Sequence, residues 1–187
     1  SHSNGLAYTF RRDATAPLFP VHMEMEMDFK TVLLSGGWES VACLLKAKKK
    51  HQRVMGVFFD YGQPYLKEET KAVARLSSII DFNLSYIKIK DMKRDGKVFV
   101  DRNKRFLEET KRMGADEVWL GCRAPLNIFD EYMDSNWQFA QAMSKEIGVK
   151  INTPLIMWPK PLVKYYVTSN GIPADYIYSS EGYNYAT

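Results

Sequence analysis

Thr31-Val-Leu-Leu-Ser-Gly-Gly-Trp-Glu-Ser-Val-Ala-Cys-Leu-Leu45 carries a β-type apolar run into Ser35-Gly36-Gly37 and then into helix-forming sequence. A strand, a glycine turn and a helix start, in that order, make a cradle for an anion. Glycine lacks Cβ, so the backbone at Gly36 and Gly37 can turn sharply and bring its N–H groups close to a phosphate, while the following helix presents the positive end of its dipole. Ser35 and Ser40 can add hydroxyl donors to the same oxygens. The spacing differs from Gly-x-x-x-x-Gly-Lys-Ser/Thr, and no Gly-x-Gly-x-x-Gly occurs in the chain. The simplest alternative is a plain turn joining a strand to a helix, but a turn alone has no need of two serines and a carboxylate, Glu39, around two glycines.

Working outward, apolar runs at 30–34, 54–60, 84–89, 117–121 and 150–152 read as strands. Between and after them, 39–50, 63–79, 103–113, 136–147 and 161–169 read as helices, the last stopped by Gly171. Strands alternating with helices predict an α/β fold of βαβ units: an open parallel five-stranded sheet with helices on both faces. Ligands of such sheets bind beyond the carboxyl ends of the strands. The Ser-Gly-Gly loop, the segment after Asp60 and the segment after Gly121 all fall there.

A length of 187 residues, 45% hydrophobic and 13% aromatic, suits one globular domain with a sizeable core. The net charge of +4 is modest, and the cluster Lys46, Lys48, Lys49 and Lys50 falls at a helix C-terminus, where cations complement the dipole. A nucleic-acid partner is therefore not expected. Cys43 and Cys122 form no Cys-x-x-Cys pair, which excludes a disulfide framework and a four-cysteine zinc site built from this chain alone, and points to a reducing cytoplasm. No apolar run approaches the roughly 18 residues of a membrane span. Residues 1–26 read differently from the rest, as a leader, tag or mobile arm ahead of a single domain at 27–187, or as an arm packing Tyr8, Phe10, Leu18 and Phe19 on the domain or a second subunit.

Ser35 to Ser40 resembles the Ser-Gly-Gly-x-Asp-Ser loop of the PP-loop ATP pyrophosphatases, which cleave ATP between its α- and β-phosphates. Five further stretches narrow the likeness: Phe59-Asp-Tyr-Gly-Gln63, Asp101-Arg-Asn103, Tyr132-Met-Asp134, Ile151-Asn-Thr-Pro-Leu155 with Lys160 nearby, and Glu181-Gly-Tyr-Asn184. In that order they are similar to Phe-Asp-Tyr-Gly-Gln, Pro-Gly-Arg-Asn, Tyr-Pro-Asp, Ile-His-Thr-Pro-Leu and Thr-Cys-Tyr-Asn-Gly of the 7-cyano-7-deazaguanine (preQ0) synthase family of queuosine biosynthesis. The resemblance implies a Rossmann-like fold of the adenine nucleotide alpha hydrolase kind and a cytoplasmic ATP-dependent ligase. ATP and Mg²⁺ are the implied cofactors, ammonia the nitrogen donor and 7-carboxy-7-deazaguanine the substrate, adenylated and converted to the amide and then the nitrile. A homodimer is also implied.

By the same resemblance, Ser35, Gly36, Gly37 and Ser40 hold the phosphates, Trp38 and Phe59 complete the nucleotide site, and Glu39 helps place Mg²⁺. Arg102 and Lys160 are the catalytic candidates, as cations for developing phosphate charge. Tyr61, Gln63, Asn103, Tyr132 and Asp134 are candidates for the base or the adenine. Structural alternatives stand beside each role. Lys160, between Pro159 and Pro161, can simply be solvated; Arg102 can pair with Asp101 or Asp130; Asp134 can cap the helix near Asn136; Tyr61 and Gln63 can merely shape a turn; Trp38 can cap the core.

The chain departs from the family at Glu39, where the pattern has Asp, and at Gly182, where it has the first of four zinc cysteines. It ends at Thr187 without the other three, so zinc is not expected, and Tyr176, Tyr178, Tyr183 and Tyr185, or a partner subunit, take over the holding of the C-terminus. The helix after Asn103 is also shorter and more charged than the family's. A trimmed variant follows, whose reaction could stop at the amide or use another carboxylate. The competing classes are a sulfur-inserting tRNA enzyme, for which Cys43 and Cys122 would have to be reactive, and a nucleotide-binding module without turnover.

Overall fold

Val32 and Leu34 fall on one side of the first expected strand and Leu33 on the other, and that period of two sets how the domain is layered. The computed structural model describes residues 10–13, 29–51, 53–96, 98–123 and 137–179. In chain order these form β1 (Phe10–Asp13), β2 (Lys30–Leu33), α1 (Trp38–Lys50), β3 (Val54–Asp60), α2 (Leu66–Ile79), β4 (Asn83–Lys88), β5 (Arg94–Asp95), β6 (Val98–Phe99), α3 (Arg102–Arg112), β7 (Glu117–Trp119), α4 (Trp137–Ile147), β8 (Lys150–Asn152) and α5 (Lys160–Ser169), then a 3-10 turn at Ala174–Tyr176.

The main sheet runs β1-β4-β3-β2-β7-β8, every pairing parallel. Successive strands step from β2 through β3 to β4 in one direction, then from β7 to β8 in the other. The order therefore reverses between β2 and β7, and at such a switch point the loops leaving the two strands diverge and open a crevice. All five strands expected from the sequence form. The sheet is nevertheless six-stranded rather than five, because Phe10–Asp13, inside the segment read as a leader or arm, pairs with β4 from Ser85 to Lys88. The antiparallel β5-β6 hairpin was likewise not foreseen; two-residue strands carry too little alternation to be read.

Two cores sandwich the sheet. On one face Val32, Leu34, Val54 and Phe58 meet Val41 and Leu44 of α1, Val73 and Leu76 of α2, and Val163 and Val167 of α5. On the other, Leu33, Met55, Val57, Phe59 and Val118 meet Leu107 of α3 and Met143 of α4. Each fully buried Val or Leu contributes about 1.5–3 kcal/mol, so α1, with six buried residues from Ser40 to Ala47, is held by packing rather than by its lysine-rich end. Truncating Leu44, completely buried, to Ala would cost about 2–5 kcal/mol. α2 begins at Leu66, three residues later than expected, because Gln63 and Tyr65 belong to the turn before it.

Candidate functional site

The loop after β2 converges its own amides on two hydroxyls. Ser35 and Gly36 donate their N–H groups to Ser40 Oγ, each at 3.2 Å, and Gly37 N–H reaches Ser35 Oγ at 3.4 Å. These distances lie at or beyond the long end of N–H···O bonds, as expected of donors that an anion's oxygens would satisfy better. Gly36 has φ of +87°, a left-handed backbone that suits glycine. Trp38 opens α1 directly behind the loop and packs half-buried against the core, with Lys164 Nζ 5.7 Å from its ring centre. The C-terminal segment crosses the loop: Tyr178 N–H donates to Gly36 C=O at 3.0 Å, and the Tyr178 ring lies 6.3 Å from that of Tyr65.

Glu39, in the first turn of α1, gathers two cations from distant parts of the chain. Lys160 Nζ, at the start of α5, lies 2.6 Å from Glu39 Oε1, and Arg123 Nε, just beyond β7, lies 3.1 Å from the same oxygen. Burial works against the Glu39 charge, yet the hydrogen bond and charge of Lys160, with the charge of Arg123, hold the carboxyl below its ordinary range. The close approach depends on Gly121. A Cβ there would sit 2.6 Å from the Glu39 carbonyl oxygen, so only glycine lets the end of β7 abut the first turn of α1.

A second polar cluster lies beneath the loop after β3. Gln63 accepts from Tyr61 N–H at 2.9 Å and donates to Phe59 C=O and to Glu69 Oε1, both at 2.9 Å. The Tyr61 and Tyr65 hydroxyls are 3.3 Å apart, and Arg102, opening α3, reaches the Tyr61 hydroxyl with Nη1 at 3.5 Å. Burial pushes the Glu69 carboxyl up to about 7, against the opposing Gln63 hydrogen bond and Arg102 charge. Burial likewise pushes Tyr65 up to about 12.

The profile of the family described as "Queuosine biosynthesis protein QueC" matches residues 30–125, which spans the cradle, Glu39, the Arg102 cluster and Arg123. The chain belongs to the QueC family. Among curated relatives, "7-cyano-7-deazaguanine synthase 2" of Desulfitobacterium hafniense (strain Y51) is 28% identical over 176 residues, covering 76% of this chain and 75% of the relative. A "7-cyano-7-deazaguanine synthase" of Psychrobacter cryohalolentis is 42% identical over 62 residues, 30% of this chain and 24% of the relative. Among solved structures, a "predicted subunit of tRNA methyltransferase" from Methanocaldococcus jannaschii has a TM-score of 0.54 at 16% identity, covering 76% of each chain. A "4-thiouridine synthetase - RNA complex with bound ATP" has a TM-score of 0.53 at 15% identity, covering 76% of this chain and 40% of that one. At such identities these two show a shared fold.

Within this QueC-family chain, the structure brings together Ser35, Gly36, Gly37, Glu39, Ser40 and Lys160 at one mouth, with Trp38 behind them. Tyr61 and Arg102 meet in the second cluster, and Asn103 follows Arg102 in α3. Phe59 is not brought to the cradle: its side chain is buried in the opposite core, stacked on Phe106 with ring centres 4.3 Å apart. The Gln63 side chain is occupied by the turn and by Glu69, both amide hydrogens included, so it shapes the loop rather than facing a ligand. Tyr132 and Asp134 lie outside the described residues, as do Tyr183 and Tyr185. Cys43 and Cys122 are both buried, and burial raises the Cys43 thiol far above its ordinary range, which disfavours a nucleophilic thiolate there.

Sequence reasoning missed Arg123 and Glu69. Arg123 carried a readable signal, a basic residue two positions past the strand end expected at Gly121, on the ligand side of the sheet. Glu69 carried none, since it looks like any acidic residue in a helix's first turn.

Proposed function

We propose that the protein is an ATP-dependent 7-cyano-7-deazaguanine synthase that binds ATP at the Ser35–Ser40 cradle and adenylates 7-carboxy-7-deazaguanine. The observation that carries this reading is the convergence, at the switch point of a QueC-family sheet, of three loop amides, a helix start and Lys160. A carboxylate oxygen of the substrate attacks the α-phosphorus, the bond to the β-phosphate breaks and pyrophosphate leaves. Ammonia then attacks the acyl carbon, and AMP departs with one former carboxylate oxygen, leaving the amide. A second ATP activates the amide oxygen in the same way, and loss of AMP and protons gives the nitrile.

The amides of Ser35, Gly36 and Gly37 and the Ser40 hydroxyl would hold the leaving pyrophosphate, aided by the α1 dipole. Lys160 supplies positive charge where the bridging oxygen becomes anionic. Arg102 is suited to a carboxylate or phosphate by its planar fork, and Tyr61 beside it to the edge of a base. Among the described residues no group of three or more His, Cys, Asp or Glu side chains comes together. A single carboxylate nevertheless fits Mg²⁺, which commonly takes one or two carboxylates and completes its shell with phosphate oxygens and water. Glu39 would be that ligand, and Mg²⁺ would neutralise phosphate charge. A substrate-binding role for Asn103, Tyr132 and Asp134 is part of the same reading.

The test is incubation with ATP, Mg²⁺, ammonium and 7-carboxy-7-deazaguanine, following AMP by chromatography and the base by mass spectrometry. AMP together with the nitrile is the expected outcome. AMP with the amide alone would mark a reaction that ends early, and unchanged ATP and base would refute the reading.

A further inference from the structure

Arg123 Nε and Lys160 Nζ share one oxygen of Glu39. Two cations therefore meet one carboxylate oxygen at the N-terminus of α1, where the helix dipole adds positive potential. The three side chains are only 21–26% exposed, so water screens their charges only in part. Arg123 meets Glu39 through Nε; a guanidinium carries four further N–H donors on its two terminal nitrogens. Its position follows from the close packing at Gly121. The absence of a Cβ at Gly121 lets the chain beyond β7 abut the Glu39 carbonyl, and Arg123 follows two residues later, at the carboxyl edge of the strand that flanks β2 across the switch point.

We infer that Arg123 is a phosphate-binding residue of this site, directed at the β- and γ-phosphates of the nucleotide. Glu39 is its stand-in anion: it holds Arg123 and Lys160 in place, and both cations exchange onto phosphate oxygens when the nucleotide enters. The exchange also releases the Glu39 carboxylate for Mg²⁺. The inference rests on the ATP reading of the cradle, but it adds a residue and a change of partners that the reading does not require.

Inorganic pyrophosphate is the probe, titrated by calorimetry without metal into wild type, Arg123→Ala, Arg123→Lys, Glu39→Gln and the double variant Glu39→Gln/Arg123→Ala, each checked for an unchanged circular dichroism spectrum. Arg123→Ala should weaken pyrophosphate at least ten-fold and Arg123→Lys less. Glu39→Gln, by removing the competing carboxylate, should tighten metal-free pyrophosphate several-fold. In the Glu39→Gln background Arg123→Ala should still weaken binding ten-fold. A loss that disappears in that background would mean Arg123 acts only through Glu39 and would overturn the inference. Equal binding by wild type and Arg123→Ala would overturn it too, and AMP formation by wild type would then leave the ATP reading standing. A wild type that neither binds pyrophosphate nor forms AMP would remove both.

Discussion

Replacing Glu69 by Gln should stabilise the protein at pH 8 by about 3 kcal/mol and change it little at pH 4. In the unfolded chain the carboxyl titrates near its ordinary 4.5; in the fold, burial raises it to about 7. Below pH 4.5 both states hold the proton. Between 4.5 and 7 the unfolded chain releases it while the folded protein keeps it, so the folded state binds more protons and stability falls as pH rises. Above 7 both are ionised and the full penalty remains. At about 1.36 kcal/mol per tenfold change in proton affinity, the displacement corresponds to about 3 kcal/mol. Gln is neutral throughout and its carbonyl can still accept from Gln63 Nε2, so the bond at 2.9 Å has a replacement. Urea unfolding of wild type and Glu69→Gln at pH 4, 6 and 8 reads the effect directly, because other titrating groups cancel in the difference. Parallel pH profiles would refute the reasoning. So would a wild type more stable than the variant at pH 8, which would mean that Arg102 stabilises an ionised Glu69 more than burial opposes it.

The two loop glycines should behave differently. Gly37→Ala should leave the melting temperature nearly unchanged, since Gly37 has an ordinary φ of −82° and the new Cβ would lie 3.4 Å from its nearest neighbour, Tyr178 O, yet it should cut AMP formation by crowding the anion's approach. Gly36→Ala should lower stability by roughly 1–2 kcal/mol from its left-handed backbone, with added strain where the Cβ meets that of Ala72 at 3.0 Å, as thermal unfolding would report. Gly121→Ala should cost about 1–3 kcal/mol by overpacking against Glu39 and reduce AMP formation more than ten-fold, measured by urea melts and by turnover. Cys43 and Cys122 should react with a thiol reagent only as fast as the protein opens, so their rate should rise sharply across the urea transition.

The alternation of apolar runs with amphipathic helices was enough to read the parallel sheet, because the central strands β2 and β3 are buried on both faces and the helices pack against them. The two additions, β1 and the β5-β6 hairpin, escaped for a common reason. The four-residue β1 is placed by the free edge of β4 and the two-residue hairpin by its own turn, and segments so short carry little periodicity. At the cradle, residue type was informative: serines, glycines and a carboxylate in tight spacing lie together, whereas the pairing of Glu39 with Lys160, 121 residues away, is a contact that no spacing in the chain announces. Motif position was a poorer guide to side-chain direction. Phe59 and Tyr61 both pack in the core around Phe106, and only the Tyr61 hydroxyl extends from it to Arg102. For Gln63 residue type left two roles open, a reader of bases and a shaper of the turn, and its hydrogen bonds to Tyr61 N–H and Phe59 C=O are those of the turn. Tyr176 lies under Arg75 at 5.9 Å and Tyr178 beside Tyr65, contacts between distant parts of the chain.

The most direct test of the central claim is to supply 7-carboxy-7-deazaguanine labelled with ¹⁸O in its carboxylate, together with ATP, Mg²⁺ and ammonium, and to weigh the AMP released. Adenylation at the Ser35–Ser40 cradle predicts AMP carrying one ¹⁸O from the substrate. Unlabelled AMP, or cleavage of ATP to ADP and phosphate, would contradict it.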